Sequence, residues 1–499
     1  MFDKIPERNP ESWSSIISAS TRSGDFLQAL HLFGEMMEAG TWPHEFSLAS
    51  LLKASAGLRD VNIGRQLHGW CLRTGFSLEP GVRTSLITMY SNCGFLDDAM
   101  RVFGEIQLSL LDDVPTWNSM IAAYVFHGRW SECFELFWNM LSGGTVSPNE
   151  YTYASMINAC ASLSAVDHGK VIHGMIIKDG LFDQTTMGNS LITFYSKCGA
   201  LDEANRMFEM ITWKNIVSWN AIVTGHEQND CSRKSVELFR RLVMLETRLK
   251  PNHITFLSVL NAVTSLSELK KGREIHAQTI RLGLVNSTSI ANSLITMYSK
   301  CKEVEKARLV FERVPRKDII SWNSLFTGFV RSEHFEDCLK VFKRMQMSGI
   351  RPDDHSFTIV LGAASSLPDM SKCLRWGKEF HNHLLRHTSR AAGVATYNSI
   401  LTVYAKCNRL DYSEKIFMGM RKRDSYSWNA MMDGYSINGD HNAAISLFTE
   451  MLEQYLQPDH LSFSILLTAC GRSASIETVI LDAKEYMRER EAIKICETK

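Results

Sequence analysis

The sequence predicts an all-α solenoid, a fold made by stacking short helical hairpins. Three observations carry that expectation. A Trp-Asn pair returns about once per hundred residues, in Thr116-Trp117-Asn118, Ser218-Trp219-Asn220, Ser321-Trp322-Asn323 and Ser427-Trp428-Asn429, after a degenerate copy at Ser12-Trp13-Ser14. Successive tryptophans stand 104, 102, 103 and 106 residues apart, so the 499 residues form a tandem array rather than a few unrelated domains. Each block of roughly 103 residues divides in turn into three helix-turn-helix units of unequal length.

The unit 319–353 shows the pattern. Trp322, Leu325, Phe326 and Phe329 fall at i, i+3, i+4 and i+7, one face of a first helix. Arg331, Ser332 and Glu333 make a polar break, and Cys338, Val341, Phe342 and Met345 form a second apolar stripe. Gly349 supplies a helix stop and Pro352 forbids continuation. Two short amphipathic helices cannot bury such faces alone, so neighbouring units must stack.

Long units of this kind span 10–44, 114–149, 216–252, 319–353 and 425–459. A second kind follows each, at 45–79, 150–184, 253–287 and 354–393, with a degenerate copy from 460. The short kind runs 80–113, 185–215, 288–318 and 394–424, the first of these with an insertion around Leu108 and Leu111. Residues 1–9, MFDKIPERN, match the tail of a short unit such as VFERVPRKD at 310–318, so a fragment beginning inside a unit is expected. The layout is thus a partial repeat at 1–9, an array at 10–459, and a degenerate repeat with a charged helical tail at 460–499.

Composition narrows the function. Net charge is zero and the pI about 7.2, which argues against a protein held on nucleic acid by a global positive field but leaves room for a local basic groove. No run of 18 apolar residues occurs, so no transmembrane helix and no membrane partner are expected, and no signal or transit segment is visible at Met1. Twelve cysteines without a Cys-x-x-Cys fit a reducing compartment better than secretion.

The units resemble the plant pentatricopeptide-repeat proteins of the PLS subfamily, through SWN…LF…M…G…P in the long units, T(F/Y)…LxA…GxxxH in the second kind and NSLITMYSKC in the short ones. The resemblance covers nearly the whole chain. It implies a right-handed superhelix that holds single-stranded RNA, about one nucleotide per unit, read by two or three side chains. It also implies a mitochondrial or plastid location. The principal reader is the fifth residue of a unit, assisted by the last.

Here those pairs are Thr84/Asp113, Asn118/Asn149, Asn189/Asn215, Asn220/Asn252, Asn292/Asp318, Asn323/Asp353, Asn398/Asp424 and Asn429/Asp459, with Ser14/His44 matching no trusted pair. Carried over, Thr84/Asp113 implies guanine, Asn/Asn a pyrimidine and Asn/Asp uracil. Ala49, Ala154, Leu257 and Thr358 stand at the reading place of the second kind and are left blank. The implied site, 5′ to 3′, is N-N-G-Y-N-Y-Y-N-U-U-N-U-U. The second residues Val217, Ile320 and Tyr426 would clamp bases. An amide carries both donor and acceptor and can face a base edge, although Asn is also a common helix cap.

Other chemistries are less well supported. His68, His173, His276 and His381 recur with Cys93, Cys198, Cys301 and Cys407, but structural zinc needs four ligands with close pairs, so these read as packing positions and no metal or cofactor is expected. Of the deaminase pattern H-x-E…P-C-x-x-C only an isolated H-x-E occurs, at His334-Phe335-Glu336, without the P-C-x-x-C half that would complete a zinc site, and there is no phosphate-binding G-x-x-x-x-G-K-[ST]. The chain is therefore not expected to be an enzyme. In C-to-U editing it would select the site while a deaminase or accessory editing factor acts in trans. A protein-binding scaffold of tetratricopeptide type is the competing expectation.

Overall fold

The computed structural model describes residues 9–105, 113–144, 146–182, 184–244, 249–387, 393–454 and 456–472. Among them the chain forms 27 α-helices, two short 3-10 turns and no strand. The expected tail of a short unit at 1–8, the insertion around Leu108 and Leu111 and the charged end beyond 472 lie outside the described residues. Asn9 is described and caps the first helix.

The chain divides into two compact units, Met1–Pro251 and Asn252–Lys499. In the first, hairpins pair α1 (Pro10–Arg22) with α2 (Phe26–Glu38), α3 (Glu45–Leu58) with α4 (Val61–Thr74) and α5 (Pro80–Asn92) with α6 (Leu96–Gly104). They continue with α7 (Val114–Phe126) and α8 (Trp130–Gly143), then α9 (Glu150–Leu163) and α10 (Val166–Lys178). The pairs α11 (Thr185–Lys197) with α12 (Leu201–Met210) and α13 (Ile216–Gln228) with α14 (Ser232–Met244) complete it.

The second unit opens with α15 (His253–Leu266) and α16 (Leu269–Arg281), then α17 (Thr288–Lys300) and α18 (Val304–Arg313). Next come α19 (Ile319–Arg331) with α20 (Phe335–Met347) and α21 (Asp354–Ser365) with α22 (Met370–His387). It ends with α23 (Val394–Lys406) and α24 (Leu410–Gly419), α25 (Ser425–Ile437) and α26 (His441–Glu453), and α27 (His460–Arg472). Within each unit the odd-numbered helices pack on one another in sequence, making one layer, and each even-numbered helix packs on its own hairpin partner.

Local chemistry sets where the helices start. Asp318 accepts a hydrogen bond from the Ser321 N–H at 2.8 Å, while the Ser321 hydroxyl accepts from the Asp318 N–H. This capping box satisfies two otherwise orphaned N–H groups, and it recurs at Asn149/Thr152, Asn215/Ser218, Asn252/Thr255, Asp353/Ser356 and Asp424/Ser427.

The recurring tryptophans are core. Trp117, Trp219, Trp322 and Trp428 are buried, each edge-on to a phenylalanine of the preceding short unit: Phe103, Phe208, Phe311 and Phe417, with ring centroids 5.5, 4.8, 4.7 and 5.0 Å apart. Such pairs add about 0.5–1.5 kcal/mol beyond burial alone. Glycine lets α17 and α19 approach closely, because a Cβ at Gly328 would stand 2.8 Å from the Ser299 Cβ. This close contact holds the layer of first helices, and the candidate reading residues are on that layer.

Candidate nucleic-acid interface

In a long or short unit the fifth residue lies inside the first helix, just past its first turn; Asn323, for example, is the fifth residue of α19. Asn therefore does not cap its helix. In the long and second-kind units the capping is done instead by the last residue of the preceding unit, while the first helices of the short units start without a side-chain cap.

Asn118 Nδ2 donates to Asn149 Oδ1 at 3.0 Å and Asn189 to Asn215 at 3.4 Å. Asn292, Asn323, Asn398 and Asn429 donate to one oxygen of Asp318, Asp353, Asp424 and Asp459 at 3.1, 3.2, 3.0 and 3.1 Å. A third residue, three beyond the cap, completes the arrangement. The Ser356 hydroxyl lies 2.6 Å from Asn323 Oδ1 and 2.7 Å from Asp353 Oδ1. Ser321 makes the same two contacts to Asn292 and Asp318, Ser462 to Asn429 and Asp459, and Thr152 to Asn118 and Asn149. Asn189 Oδ1 and Asn398 Oδ1, by contrast, are buried and have no such partner.

Every recorded bond to Asp318, Asp353, Asp424 and Asp459 falls on the backbone or on Oδ1, which leaves Oδ2 as an acceptor. The second N–H of each bridging Asn remains a donor. Burial pushes these carboxyls up, but the Ser N–H and hydroxyl and the Asn amide outweigh it and hold all four below the usual carboxylate range. They are ionised at neutral pH.

Asn220 is buried on α13 and Asn252 caps α15. Two other pairs differ from the bridged ones. Ser14 Oγ lies 3.2 Å from His44 Nε2, and His44 caps α3. Thr84 is not joined to Asp113: its hydroxyl donates to the Pro80 carbonyl at 2.7 Å, while Asp113 takes Arg83 at 3.1 Å.

The pairs open onto grooves. Thr84, Asn118, Asn149 and Tyr151 line one of about 880 Å³. Asn323, Asp353, Ile320, Lys300 and Arg331 line another of about 410 Å³, and Ser14, His44, Phe46 and Arg22 a third of about 790 Å³. The second residues Val217, Ile320 and Tyr426 are exposed, as are Phe46, Tyr151, Ile254 and Leu461 at the same place in the second kind of unit. An apolar stripe thus runs beside the polar pairs. Sequence reasoning missed Arg22, Lys300 and Arg331 at these grooves; the available signal was a basic residue closing the first helix.

The four recurring histidines are held by tyrosines. Nδ1 of His68, His173, His276 and His381 lies 2.8–3.1 Å from the hydroxyls of Tyr90, Tyr195, Tyr298 and Tyr404, and burial lowers each imidazole pKa. Among the described residues no three His, Cys, Asp or Glu side chains gather as metal ligands, and no helix is long and apolar enough to cross a membrane.

Comparison with known proteins bears on the same units. The model described as PPR repeat matches residues 11–41, 82–109, 189–216, 217–245, 289–319 and 395–425, and the PPR repeat family matches 112–162, 317–365 and 423–472. A chloroplastic pentatricopeptide repeat-containing protein of Arabidopsis thaliana is 32% identical over 95% of this chain and 54% of its own length. A mitochondrial one from the same plant is 31% identical over 97% of this chain and 68% of its own length. The chain spans between half and two thirds of the length of the first curated relatives it matches. The crystal structure of the pentatricopeptide repeat protein PPR10 from maize has a similar fold, with a TM-score of 0.66 at 16% identity, covering 98% of this chain and 74% of that one.

Proposed function

Because the chain belongs to the pentatricopeptide-repeat family of plant type, we propose that it binds a specific pyrimidine-rich single-stranded RNA in organelle RNA processing. On this reading the units of 10–459, alternating in the PLS manner, each meet one nucleotide. The chain recognises and does not catalyse. It selects a C-to-U editing site in a mitochondrial or plastid transcript, and a deaminase or accessory factor acts in trans.

The observation that supports this best is the bridge between Asn and cap, repeated with the same geometry along both compact units. Its free atoms suit pyrimidines. With an Asp cap, the pair offers a free N–H and a carboxylate oxygen, which match uracil O4 and N3–H. With an Asn cap, Oδ1 is occupied and the remaining groups are donors. These suit the N3 acceptor of cytosine and tolerate the carbonyls of uracil. The apolar second residues Val217, Ile320 and Tyr426, with those of the second kind of unit, give bases a surface to stack on, worth about 1–3 kcal/mol per base where the platform is aromatic. Arg22, Lys300 and Arg331 are placed to meet phosphates.

Fluorescence anisotropy on an oligonucleotide carrying N-N-G-Y-N-Y-Y-N-U-U-N-U-U tests the reading, with a control in which the four U positions become G. Tighter binding to the first, weakening with salt, is expected. Equal binding would discard the register, and no binding by folded protein would turn the reading toward a protein scaffold.

A further inference from the structure

One reading unit departs from the others in a way that predicts its base choice. In the six bridged pairs, the cap oxygen accepts from the Asn at position five. In unit 80–113 that oxygen belongs to Asp113 and accepts from Arg83 Nη1 at 3.1 Å, while the other oxygen accepts the Thr116 N–H at 3.0 Å. Arg83 and Asp113 form an ion pair whose side chains are only 9% and 14% exposed. A second Arg83 nitrogen donates to the Leu78 carbonyl, which fixes the guanidinium in place.

The rest of the bridge is missing. Thr84 spends its only O–H on the Pro80 carbonyl, and the buried Thr116 hydroxyl has no partner, whereas Ser321, Ser356 and Ser462 in the same place bond to an Asn. The residues preceding the reader in the other short units are Gly188, Ala291 and Tyr397, and in the long units Trp or its equivalent, so no other reading unit has a cation there.

We propose that Arg83 determines the specificity of this unit by occupying Asp113 and so silencing the guanine preference that a Thr/Asp pair would otherwise carry. Guanine presents N1–H and an amino group and needs a free acceptor. Each Asp113 oxygen already accepts a bond and its charge is paired with Arg83, so it offers guanine a weaker acceptor than the unbonded Oδ2 of the other Asp caps, and Thr84 adds only its hydroxyl lone pairs. The third nucleotide of the site is then bound without strong choice of base. This inference rests on the RNA-reading proposal above.

The experiment compares four oligonucleotides that differ only at the third nucleotide, with wild type, Arg83→Ala and Arg83→Met. Alanine already stands at this place as Ala291, and methionine keeps most of the aliphatic packing if alanine unfolds the unit; thermal melting checks both. Wild type should bind all four within about twofold, and either variant should prefer G by about fivefold or more, the lower end of what one wrong base costs. A fifth oligonucleotide with G at the ninth position, read by Asn292/Asp318, serves as the internal standard. If it binds more weakly while wild type already selects G at the third position, or while both variants stay flat there, the Arg83 proposal is overturned alone. If the ninth position is also without effect, base reading fails and the Arg83 proposal fails with it.

Discussion

Two roles share the Asp353 carboxylate, and substitution separates them. One oxygen caps α21 through the Ser356 N–H at 2.7 Å and also takes the Asn323 amide. Asparagine caps about as well as aspartate, so Asp353→Asn should leave the melting temperature nearly unchanged. It replaces the free acceptor with a donor, and the preference at the tenth nucleotide should move from U toward C by about tenfold, within the ~1–3 kcal/mol of a mismatched base. Asp353→Ala should instead cost about 1 kcal/mol of stability through the lost cap. Anisotropy with U or C at that nucleotide, beside thermal melts, checks both; an unchanged preference in Asp353→Asn would leave Asp353 with the cap alone.

The same carboxylates set a pH dependence. Asp318, Asp353, Asp424 and Asp459 are held below the usual range, so their stabilisation is present above the unfolded value of about 3.9 and is lost as pH falls through the depressed folded value. Base preference should therefore be flat from about pH 5 to 8, and these groups should weaken the fold only below about pH 4. Melts across pH 2–7 should show a shallower acid fall after the four Asp→Asn changes.

At the scale of the element, the hairpin turn repeats one left-handed residue. Gly24, Gly94, Gly128, Gly199 and Gly439 supply it with φ from 68° to 87°, while Asp230, Lys302, Glu333 and Asn408 hold the same place at 53° to 62°. A side chain there costs about 1–2 kcal/mol, partly offset by the greater freedom glycine has when unfolded. Lys302→Gly should thus stabilise by about 0.5–1 kcal/mol and Gly199→Lys destabilise by a similar amount. Chemical denaturation measures both, and a destabilised Lys302→Gly would mean the lysine side chain holds the turn.

These elements also show what a sequence makes legible. The all-α solenoid followed from stripes at 3.6-residue spacing, closed by Gly and Pro, because such faces have no way to be buried except by stacking. The start of α19 was less readable: Asp318 caps it with Ser321, whereas the sequence pattern places Asp318 only beside Asn292. The bonds between polar side chains were not legible. Asn323 meets Asp353 across 30 residues, and an apolar pattern reports which face is buried without saying which polar atoms meet. For the same reason Thr84/Asp113 looked like any other pair, although Arg83, one residue away, takes the carboxylate. Phe46, Tyr151 and Ile254 are exposed although apolar, and an apolar pattern alone does not say which of its residues stay outside the core.

For the whole molecule, zero net charge constrains how RNA would be held. A neutral chain cannot gather a polyanion by long-range attraction, so the electrostatic part of binding must come from the few cations at the grooves. Lys300 and Arg331 line a groove together with the Asn323/Asp353 pair, and Arg22 one with Ser14 and His44. Each phosphate neutralised on a single strand changes the slope of log K against log salt by about −0.7, so these three would contribute roughly −2 to it. Lys300→Gln should reduce that slope by about 0.7 and weaken every oligonucleotide alike, because a phosphate contact carries no sequence information. The preference for U over G at the tenth nucleotide should survive. Anisotropy titrations at several salt concentrations, on the U and G oligonucleotides in parallel, separate the two terms. If Lys300→Gln abolished the base preference while leaving the slope intact, the lysine would be acting on the base or on the Asn323/Asp353 bridge, and the division between positioning cations and reading amides would have to be redrawn.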